Sequence, residues 1–182
     1  RRRGIPVVLD PVGSGATRYR TAAARRLLDE VGPTIVRANA SEIASLATDA
    51  GGTKGVDSTR ASEETIQHAQ SLAARWSCTV VVSGATDVIV GEGTVLRVRN
   101  GHPMMARVTG MGCTASALVG AFAAVNPSPV RAAAHAMAVM GIAGEMAAER
   151  AEGPGSFQLH FLDALSRIGE TEVNRRLRLE QA

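Results

Sequence analysis

The chain has 182 residues, of which 45% are hydrophobic and 20% are charged, a composition typical of one soluble globular domain with a sizeable core. Aromatic residues make up 3%, and the formal net charge of +3 comes without a basic stripe interleaved with aromatic side chains, so nucleic-acid recognition is not expected. No apolar stretch is long enough to span a bilayer, which argues against a membrane protein. The core is therefore expected to be built from aliphatic side chains.

The cysteine and histidine content favours a reducing environment without zinc. The two cysteines, Cys78 and Cys113, suggest no disulfide pattern, and no signal peptide is present, so a cytoplasmic location is expected. The four histidines show no metal-ligand spacing. The chain begins at Arg1 without an initiator methionine and enters a strand almost at once. We therefore expect it to be the later part of a longer protein.

The first half of the chain is predicted to alternate short buried strands with helices. The strands are brief apolar runs, as in sheets that are covered on both faces. The predicted elements, in chain order, are a strand over residues 5–10, a loop over 11–17, a helix over 22–31, a strand over 34–36, a helix that opens at Asn39, a loop over 51–58 and a helix over 63–76.

The second half continues this pattern and adds a hairpin, because two apolar runs flank a glycine-rich turn. The predicted elements are a strand over residues 79–82, the hairpin over 87–90 and 95–98, a turn at Asn100-Gly101, helices over 114–125 and 130–150, a loop over 153–156 and a final helix from Phe157. Residues 1–182 are assigned to a single domain. Residues 170–182 are expected to form an exposed charged tail.

Buried strands that alternate with helices predict an α/β fold with a mainly parallel central sheet and helices on both faces. Ligands of such sheets bind beyond the carboxyl ends of the strands. Several polar or glycine-built features are predicted to fall at these ends: Asp10, Arg37, Asn39, Ser83-Gly84 and the turn over residues 110–113. Their convergence on one edge of the sheet predicts an active site there.

The turn over residues 110–113 has the features of an anion site. Gly110 and Gly112 allow the backbone to turn sharply, and the helix that follows adds unsatisfied N–H groups and the positive end of its dipole. The same field favours a thiolate, so Cys113 is a candidate base or nucleophile. The alternative is a tight strand-to-helix turn in which Cys113 is merely a small apolar residue.

The polar residues at the other strand ends each have a functional and a structural interpretation. Asp10 precedes a proline and could cap the loop, and Glu42 stands three residues after Asn39, as in a capping box. Arg37 leaves an apolar strand and needs an anionic partner or solvent, and a nucleotide phosphate would serve. Ser83 could belong simply to a strand-ending turn.

Together these residues suit phosphoryl transfer, which needs a cation for the phosphate oxygens, donors on the transferring group and an acceptor for a proton. Asp10 and Glu42 offer the oxygen ligands that Mg²⁺ prefers. The backbone amides of residues 110–113 would hold the phosphoryl group, and Cys113 could receive the proton of an attacking hydroxyl. The Gly-x-x-x-x-Gly-Lys-Ser/Thr phosphate loop does not occur in the sequence.

The sequence resembles those of hydroxyethylthiazole kinases in a set of motifs that follow the family's order. The similarity extends over nearly the whole chain up to about Ile168, and the combination is specific, whereas the glycine–cysteine turn alone also occurs in other ribokinase-like kinases. The motifs are VLDPVGSGAT at residues 8–17 followed by Arg20-Thr21, RANASEI at 37–43, KGVDS at 54–58, Asn100-Gly101-His102, VTGMGC at 108–113 and GPGSF at 153–157.

The resemblance implies a ribokinase-like α/β fold that lacks the family's N-terminal part. It also implies a kinase that uses ATP and Mg²⁺ to phosphorylate the hydroxyl of 4-methyl-5-(2-hydroxyethyl)thiazole in thiamine salvage, and an assembly into homotrimers. The implied site residues are Arg37 and Ser83 for ATP, Gly110 with Met111 and Gly112 for substrate or phosphate, Cys113 as proton acceptor, and Asp10 and Glu42 near the metal and triphosphate. Met111 stands where the family generally has a small residue, and Ala85 where glutamate is common.

Two other functions stay open on the sequence. A hydroxymethylpyrimidine (phosphate) kinase shares the fold and the glycine–cysteine turn, although it typically has a Thr-Pro-Asn-type segment where this chain has Arg37-Ala38-Asn39. A catalytically silent nucleotide-binding protein is the other alternative, and the expected loss of the N-terminal part supports it.

Overall fold

A six-stranded sheet forms the centre of the fold in the computed structural model, which describes residues 4–47 and 58–181. The strands lie side by side in chain order, so each inner strand is hydrogen-bonded to the strand before it and the strand after it. Residues 51–57 of the predicted loop lie outside the described residues. The strands are β1 (Val8–Leu9), β2 (Ile35–Asn39), β3 (Thr79–Ser83), β4 (Asp87–Gly91), β5 (Thr94–Val98) and β6 (Leu179–Gln181).

The sheet is mixed rather than mainly parallel. The pairs β1–β2 and β2–β3 are parallel, whereas β3–β4, β4–β5 and β5–β6 are antiparallel. The short connections between β3, β4 and β5 cause the difference, because parallel pairing needs a crossover of a dozen or so residues. The hairpin predicted over residues 87–90 and 95–98 is confirmed as β4 and β5.

Seven α-helices and one 3₁₀ helix occur in the part of the chain that the structure describes. The first begins earlier than residue 22, because the Thr17 hydroxyl accepts a hydrogen bond from the Arg20 N–H and caps it. The 3₁₀ helix over Pro103–Arg107 was not predicted. The α-helices are α1 (Arg18–Val31), α2 (Ala40–Ala47), α3 (Ser58–Trp76), α4 (Met111–Val125), α5 (Pro129–Ala148), α6 (Pro154–Arg167) and α7 (Glu170–Arg176).

Helices cover both faces of the sheet, as predicted, because successive strand residues point to opposite faces. Ile35 and Val81 belong to one core with residues of α4, α5 and α6. Val36 and Val80 belong to the other, with residues of α1, α2 and α3. Among the described residues, no helix combines the length and apolar character that crossing a membrane requires.

The charged residues after Gly169 do more than form an exposed tail. They build α7 and β6, and β6 pairs antiparallel with β5 at the edge of the sheet. The Arg176 side chain forms ion pairs with Glu149 at 2.7 Å and with Glu172 at 2.8 Å. Hydrophobic patterning gave no signal for this strand because its pairing depends on backbone hydrogen bonds, which any side chain permits.

The predicted Asn100-Gly101 turn is fastened to α5 and to the end of the chain. Asn100 is buried, and its Nδ2 donates to Glu145 Oε1 at 3.1 Å and to the Arg176 carbonyl at 2.7 Å. Its Oδ1 accepts from the Arg178 N–H at 2.8 Å. The Gly101 N–H donates to the same Glu145 oxygen at 3.0 Å. The turn is therefore held by Glu145 of α5 and by the backbone of Arg176 and Arg178.

This packing predicts opposite tolerance at two glycines of α5. A Cβ at Gly141 would lie 2.5 Å from the backbone carbon and oxygen of Asn100, whereas at Gly144 it would meet the flexible Met105 side chain. Gly141→Ala should lower the free energy of unfolding by about 1–3 kcal/mol, because a backbone cannot yield as a side chain can. Gly144→Ala should cost less, since alanine favours a helix by about 1 kcal/mol over glycine. Urea unfolding of both variants measures this, and equal effects would contradict the close contact at Asn100.

Candidate active site

The turn before α4 leaves three backbone N–H groups without an acceptor. Gly110 precedes the helix with a φ of +95°, in the left-handed region that favours glycine. The Thr114 N–H donates to the Gly110 carbonyl at 2.9 Å, whereas the N–H groups of Met111, Gly112 and Cys113 find no acceptor among the described residues. Together with the positive end of the helix dipole, these donors can hold a phosphate oxygen.

The side chains of this turn have different surroundings. Cys113 is the third residue of α4, and its thiol is free and exposed. Met111 is half-buried and packs against the core that α4 shares with α5 and α6. The thiol is therefore accessible to a ligand at the anion site, while Met111 contributes an apolar surface beside it.

Arg37 lies within β2 and not after it. Its side chain contacts three other elements near the carboxyl ends of the strands. Its side chain is 11% exposed, and its Nη1 donates to Asp10 Oδ2 at 3.2 Å and to the Gly112 carbonyl at 3.3 Å. Its Nη2 donates to Ser83 Oγ at 2.6 Å. Its Nε is buried and unpartnered among the described residues. Asp10, Arg37, Ser83 and the first turn of α4 therefore meet, as the sequence predicts.

Asp10 has a second partner that the sequence did not indicate. The Ser116 hydroxyl, one helical turn into α4, donates to Asp10 Oδ2 at 2.6 Å. The two residues stand 106 positions apart, so no local motif could link them. The other carboxylate oxygen, Oδ1, accepts no hydrogen bond from any described residue and is the one that could bind a metal ion.

Glu42 forms a capping box with Asn39, which was the structural interpretation of this residue. Its Oε2 accepts from the Asn39 N–H at 3.0 Å, and its own N–H donates to Asn39 Oδ1 at 2.9 Å. Its Oε1 accepts from the Gly13 N–H at 2.9 Å, which fastens the loop that follows Asp10. Within the described residues, no hydrogen bond or ion pair joins Glu42 to Asp10 or Arg37. Glu42 therefore shapes the loop beside the site.

A cavity of about 530 Å³ extends from this cluster towards α5. It is within the size range of small-ligand pockets and has mostly apolar walls. Its lining includes Arg37, Ser83, Ala85, Asp87, Asn100, Pro103, Met105, Met111, Gly112, Met137 and Met140. A cavity of about 600 Å³ lies at the opposite ends of the parallel strands, beside Thr34 and Thr79, and none of the predicted site residues lines it.

Asp87 is a cavity residue that the sequence analysis did not single out. It begins β4 and is buried, and its Oδ1 accepts from the Gly84 N–H at 2.9 Å. Burial raises the pKa of this carboxyl to about 7, against the opposing effects of the Gly84 hydrogen bond and the positive charge of Arg37. An aspartate shortly after a Ser-Gly turn was the only available signal, and it equally suits a plain turn.

Comparison with known proteins finds similar sequences over nearly the whole chain. A family model described as the hydroxyethylthiazole kinase family matches residues 1–171. A hydroxyethylthiazole kinase of Syntrophus aciditrophicus is 58% identical over 178 residues, which cover 97% of this chain and 66% of the relative. One of Nitratidesulfovibrio vulgaris is 51% identical over 177 residues, with 97% and 66% covered. The chain therefore spans 66% of the length of these relatives.

Solved structures share the fold. The hydroxyethylthiazole kinase protein from Pyrococcus horikoshii OT3 superposes with a TM-score of 0.90 at 35% identity, covering 100% of this chain and 67% of its own. Staphylococcus aureus pyridoxal kinase in complex with AMP-PCP and pyridoxal superposes with a TM-score of 0.61 at 18% identity, covering 96% of this chain and 61% of its own. The second likeness concerns the fold alone. The predicted ribokinase-like α/β fold is confirmed.

The buried carboxyl of Asp87 predicts how stability changes with pH. Its pKa of about 7 lies above the ordinary aspartate value of 3.8. The folded state therefore keeps the Asp87 proton to a higher pH than the unfolded chain does. The protonated carboxyl stabilises the folded state at low pH, and this stabilisation is lost as the pH rises between the two pKa values. The slope is at most about 1.4 kcal/mol per pH unit. The variant Asp87→Asn cannot ionise and should gain stability relative to the unaltered chain as the pH rises from about 4 to about 7.

Urea unfolding at several pH values measures this change. The matched control is Asp163→Asn on α6, where the side chain is 45% exposed and stays in contact with water. A pH-independent difference between Asp87→Asn and the unaltered chain would contradict the raised pKa.

Proposed function

The chain belongs to the hydroxyethylthiazole kinase family, and we propose that it transfers the γ-phosphoryl group of ATP to the primary hydroxyl of 4-methyl-5-(2-hydroxyethyl)thiazole, a step of thiamine salvage. The family match over residues 1–171 is the observation that carries this proposal. The chain spans 66% of the length of its relatives, and for this reason their activity is proposed for it. The anion site and the cavity beside it provide the physical support.

In this proposal the nucleotide lies along the cavity, with its phosphates at the start of α4. The free N–H groups of residues 111–113 and the Arg37 guanidinium offer the positive field that phosphates need. Met137 and Met140 from α5 offer an apolar wall for the base. Ser83 accepts a hydrogen bond from Arg37 and lines the same cavity, which suits an ATP-contacting role.

The reaction needs a bond exchange at phosphorus and a place for one proton. The substrate hydroxyl oxygen bonds to the γ-phosphorus while the bond between that phosphorus and its bridging oxygen breaks, and ADP leaves. The N–H groups of Met111, Gly112 and Cys113 stabilise the charge on the transferring group. The proton of the hydroxyl would pass to the thiolate form of Cys113, which becomes the thiol, and this side chain is exposed at the helix N-terminus and free of a disulfide.

Magnesium fits this site through few protein ligands. The described residues hold no group of three or more His, Cys, Asp and Glu side chains that could bind a metal ion. Mg²⁺ commonly binds one or two carboxylates and otherwise takes phosphate oxygens and water. Asp10, with Oδ1 free, would hold it. Glu42 is the weaker candidate because both of its oxygens already accept backbone N–H groups. When bound, the ion would neutralise charge on the phosphate oxygens.

Location and assembly complete the proposal. A reducing cytoplasm suits the two cysteines, which suggest no disulfide pattern. Assembly into a homotrimer rests on the resemblance to the family. The substrate is a small neutral alcohol, and the chain has no features that favour a nucleic-acid partner.

Turnover with two alcohols tests the proposed activity. ADP formation is measured with ATP, MgCl₂ and either the thiazole alcohol or hydroxymethylpyrimidine. We expect turnover with the thiazole alcohol that stops when EDTA removes magnesium and resumes when it is restored. Turnover with the pyrimidine alone would identify the rival kinase. Nucleotide binding without turnover on either alcohol would leave a silent nucleotide-binding protein.

Cys113 should matter for the rate far more than for nucleotide binding. Cys113→Ala removes the proton acceptor and should lower kcat by about 10²-fold or more, while the dissociation constant for ADP stays within a few-fold, because the backbone N–H groups remain. Cys78→Ala, at the other cysteine, is the control and should retain kcat. A Cys113→Ala enzyme with unchanged kcat would remove this thiol from the mechanism.

A further inference from the structure

Three charged or titratable side chains line the cavity beside the anion site, among the described residues: Arg37, Asp87 and His102. Arg37 stands with the free N–H groups of α4. Asp87 stands on β4, and its carboxyl accepts from the Gly84 N–H, next to the Ser83 hydroxyl that accepts from Arg37. No ion pair joins Asp87 and Arg37 within the described residues, so the carboxyl is a separate polar group of the cavity wall.

We propose that Asp87 selects the nucleotide by accepting a hydrogen bond from a neutral donor on its nucleoside part, either a ribose hydroxyl or an exocyclic amine of the base. This inference rests on the proposed function, because it takes the ligand of the cavity to be a nucleotide. Arg37 and the free N–H groups of α4 attract the phosphates, which leaves the nucleoside part for the rest of the cavity that Asp87 also lines.

The hydrogen bonds of Asp87 leave one carboxyl oxygen available. Oδ1 accepts from the Gly84 N–H at 2.9 Å, and no other hydrogen bond to this side chain occurs among the described residues. Asp87 is 7% exposed and lines the cavity. A ligand that fills the cavity displaces water from the second oxygen, and a donor on that ligand replaces the lost hydrogen bond.

The surroundings of Asp87 do not supply that donor. Arg37 directs its terminal nitrogens to Asp10, Ser83 and the Gly112 carbonyl. The His102 Nδ1 accepts from the Met104 N–H at 3.2 Å. From α5, the cavity is lined by Met137, Met140 and Gly141, which offer no side-chain donor. No described residue of the cavity wall donates to the free oxygen of Asp87. This oxygen is therefore available to a donor on a ligand.

The raised pKa of Asp87 gives this contact a pH signature. Burial brings this pKa to about 7, and a ligand donor favours the ionised carboxylate. Binding of the nucleotide should therefore release a proton and weaken as the pH falls from 8 to 6. His102 also lines the cavity, so His102→Gln serves as the comparison for the pH profile.

The experiment measures binding of ADP analogues by calorimetry to the whole chain and to Asp87→Asn. Asparagine retains an oxygen for the Gly84 N–H but presents an amide donor in place of the second acceptor. The probes are ADP, 2′-deoxy-ADP, 3′-deoxy-ADP and purine riboside diphosphate, which lacks the exocyclic amine. We expect the unaltered chain to lose about tenfold in affinity for the probe without the recognised donor, and Asp87→Asn to bind that probe and ADP equally.

The pattern across the probes identifies the donor. Loss with a deoxy probe assigns a ribose hydroxyl, and loss with purine riboside diphosphate assigns the base amine. The control Asp163→Asn on α6 should keep the full discrimination. The pH dependence of ADP binding should disappear in Asp87→Asn and persist in His102→Gln.

Two results would overturn the inference: equal discrimination in the unaltered chain and Asp87→Asn, or failure of the unaltered chain to bind ADP. Failure of the proposed activity is distinguishable from both. If the chain discriminates among the probes through Asp87 but does not phosphorylate the thiazole alcohol, the nucleotide contact is supported and the proposed substrate is rejected.

Discussion

The nearly buried guanidinium of Arg37 is the constraint on which the site depends. A cation removed from water needs compensation worth several kcal/mol, and no single neighbour supplies it. Asp10 after β1, Ser83 at the end of β3 and the Gly112 carbonyl of α4 share its terminal nitrogens. Three elements are thereby fixed against one another at the edge of the sheet. The position of the free N–H groups at the start of α4 follows from that arrangement.

The cavity next to this cluster owes its shape to distant parts of the chain. Its far wall is the turn at Asn100, which Glu145 of α5 and the backbone of Arg176 and Arg178 hold in place. The backbone between α7 and β6 therefore supports the wall, although Arg176 and Arg178 do not line the cavity. Because both Arg37 and the Asp87 carboxyl line the cavity, it favours a ligand that offers an anionic group and a neutral hydrogen-bond donor.

The family relationship and the geometry contribute different parts of the functional argument. Membership of the hydroxyethylthiazole kinase family indicates the reaction, while the hydrogen bonds separate residues that shape the site from residues that are free to bind. Both carboxylate oxygens of Glu42 accept hydrogen bonds from backbone N–H groups, whereas Oδ1 of Asp10 accepts none from the described residues. The exposed Cys113 thiol is likewise available for chemistry.

The sequence by itself determined the alternation of strands and helices, the β4–β5 hairpin and the glycine turn at Gly110, because these depend on local periodicity and on backbone conformations that few residues allow. It also grouped Asp10, Arg37 and Ser83, since parallel strands end at one edge of a sheet. Only the tertiary structure decided the Ser116–Asp10 hydrogen bond, the pairing of β6 and the burial of Asp87. Each of these depends on backbone groups or side chains far apart in the chain, and their energies come from loss of water, which a local pattern does not record.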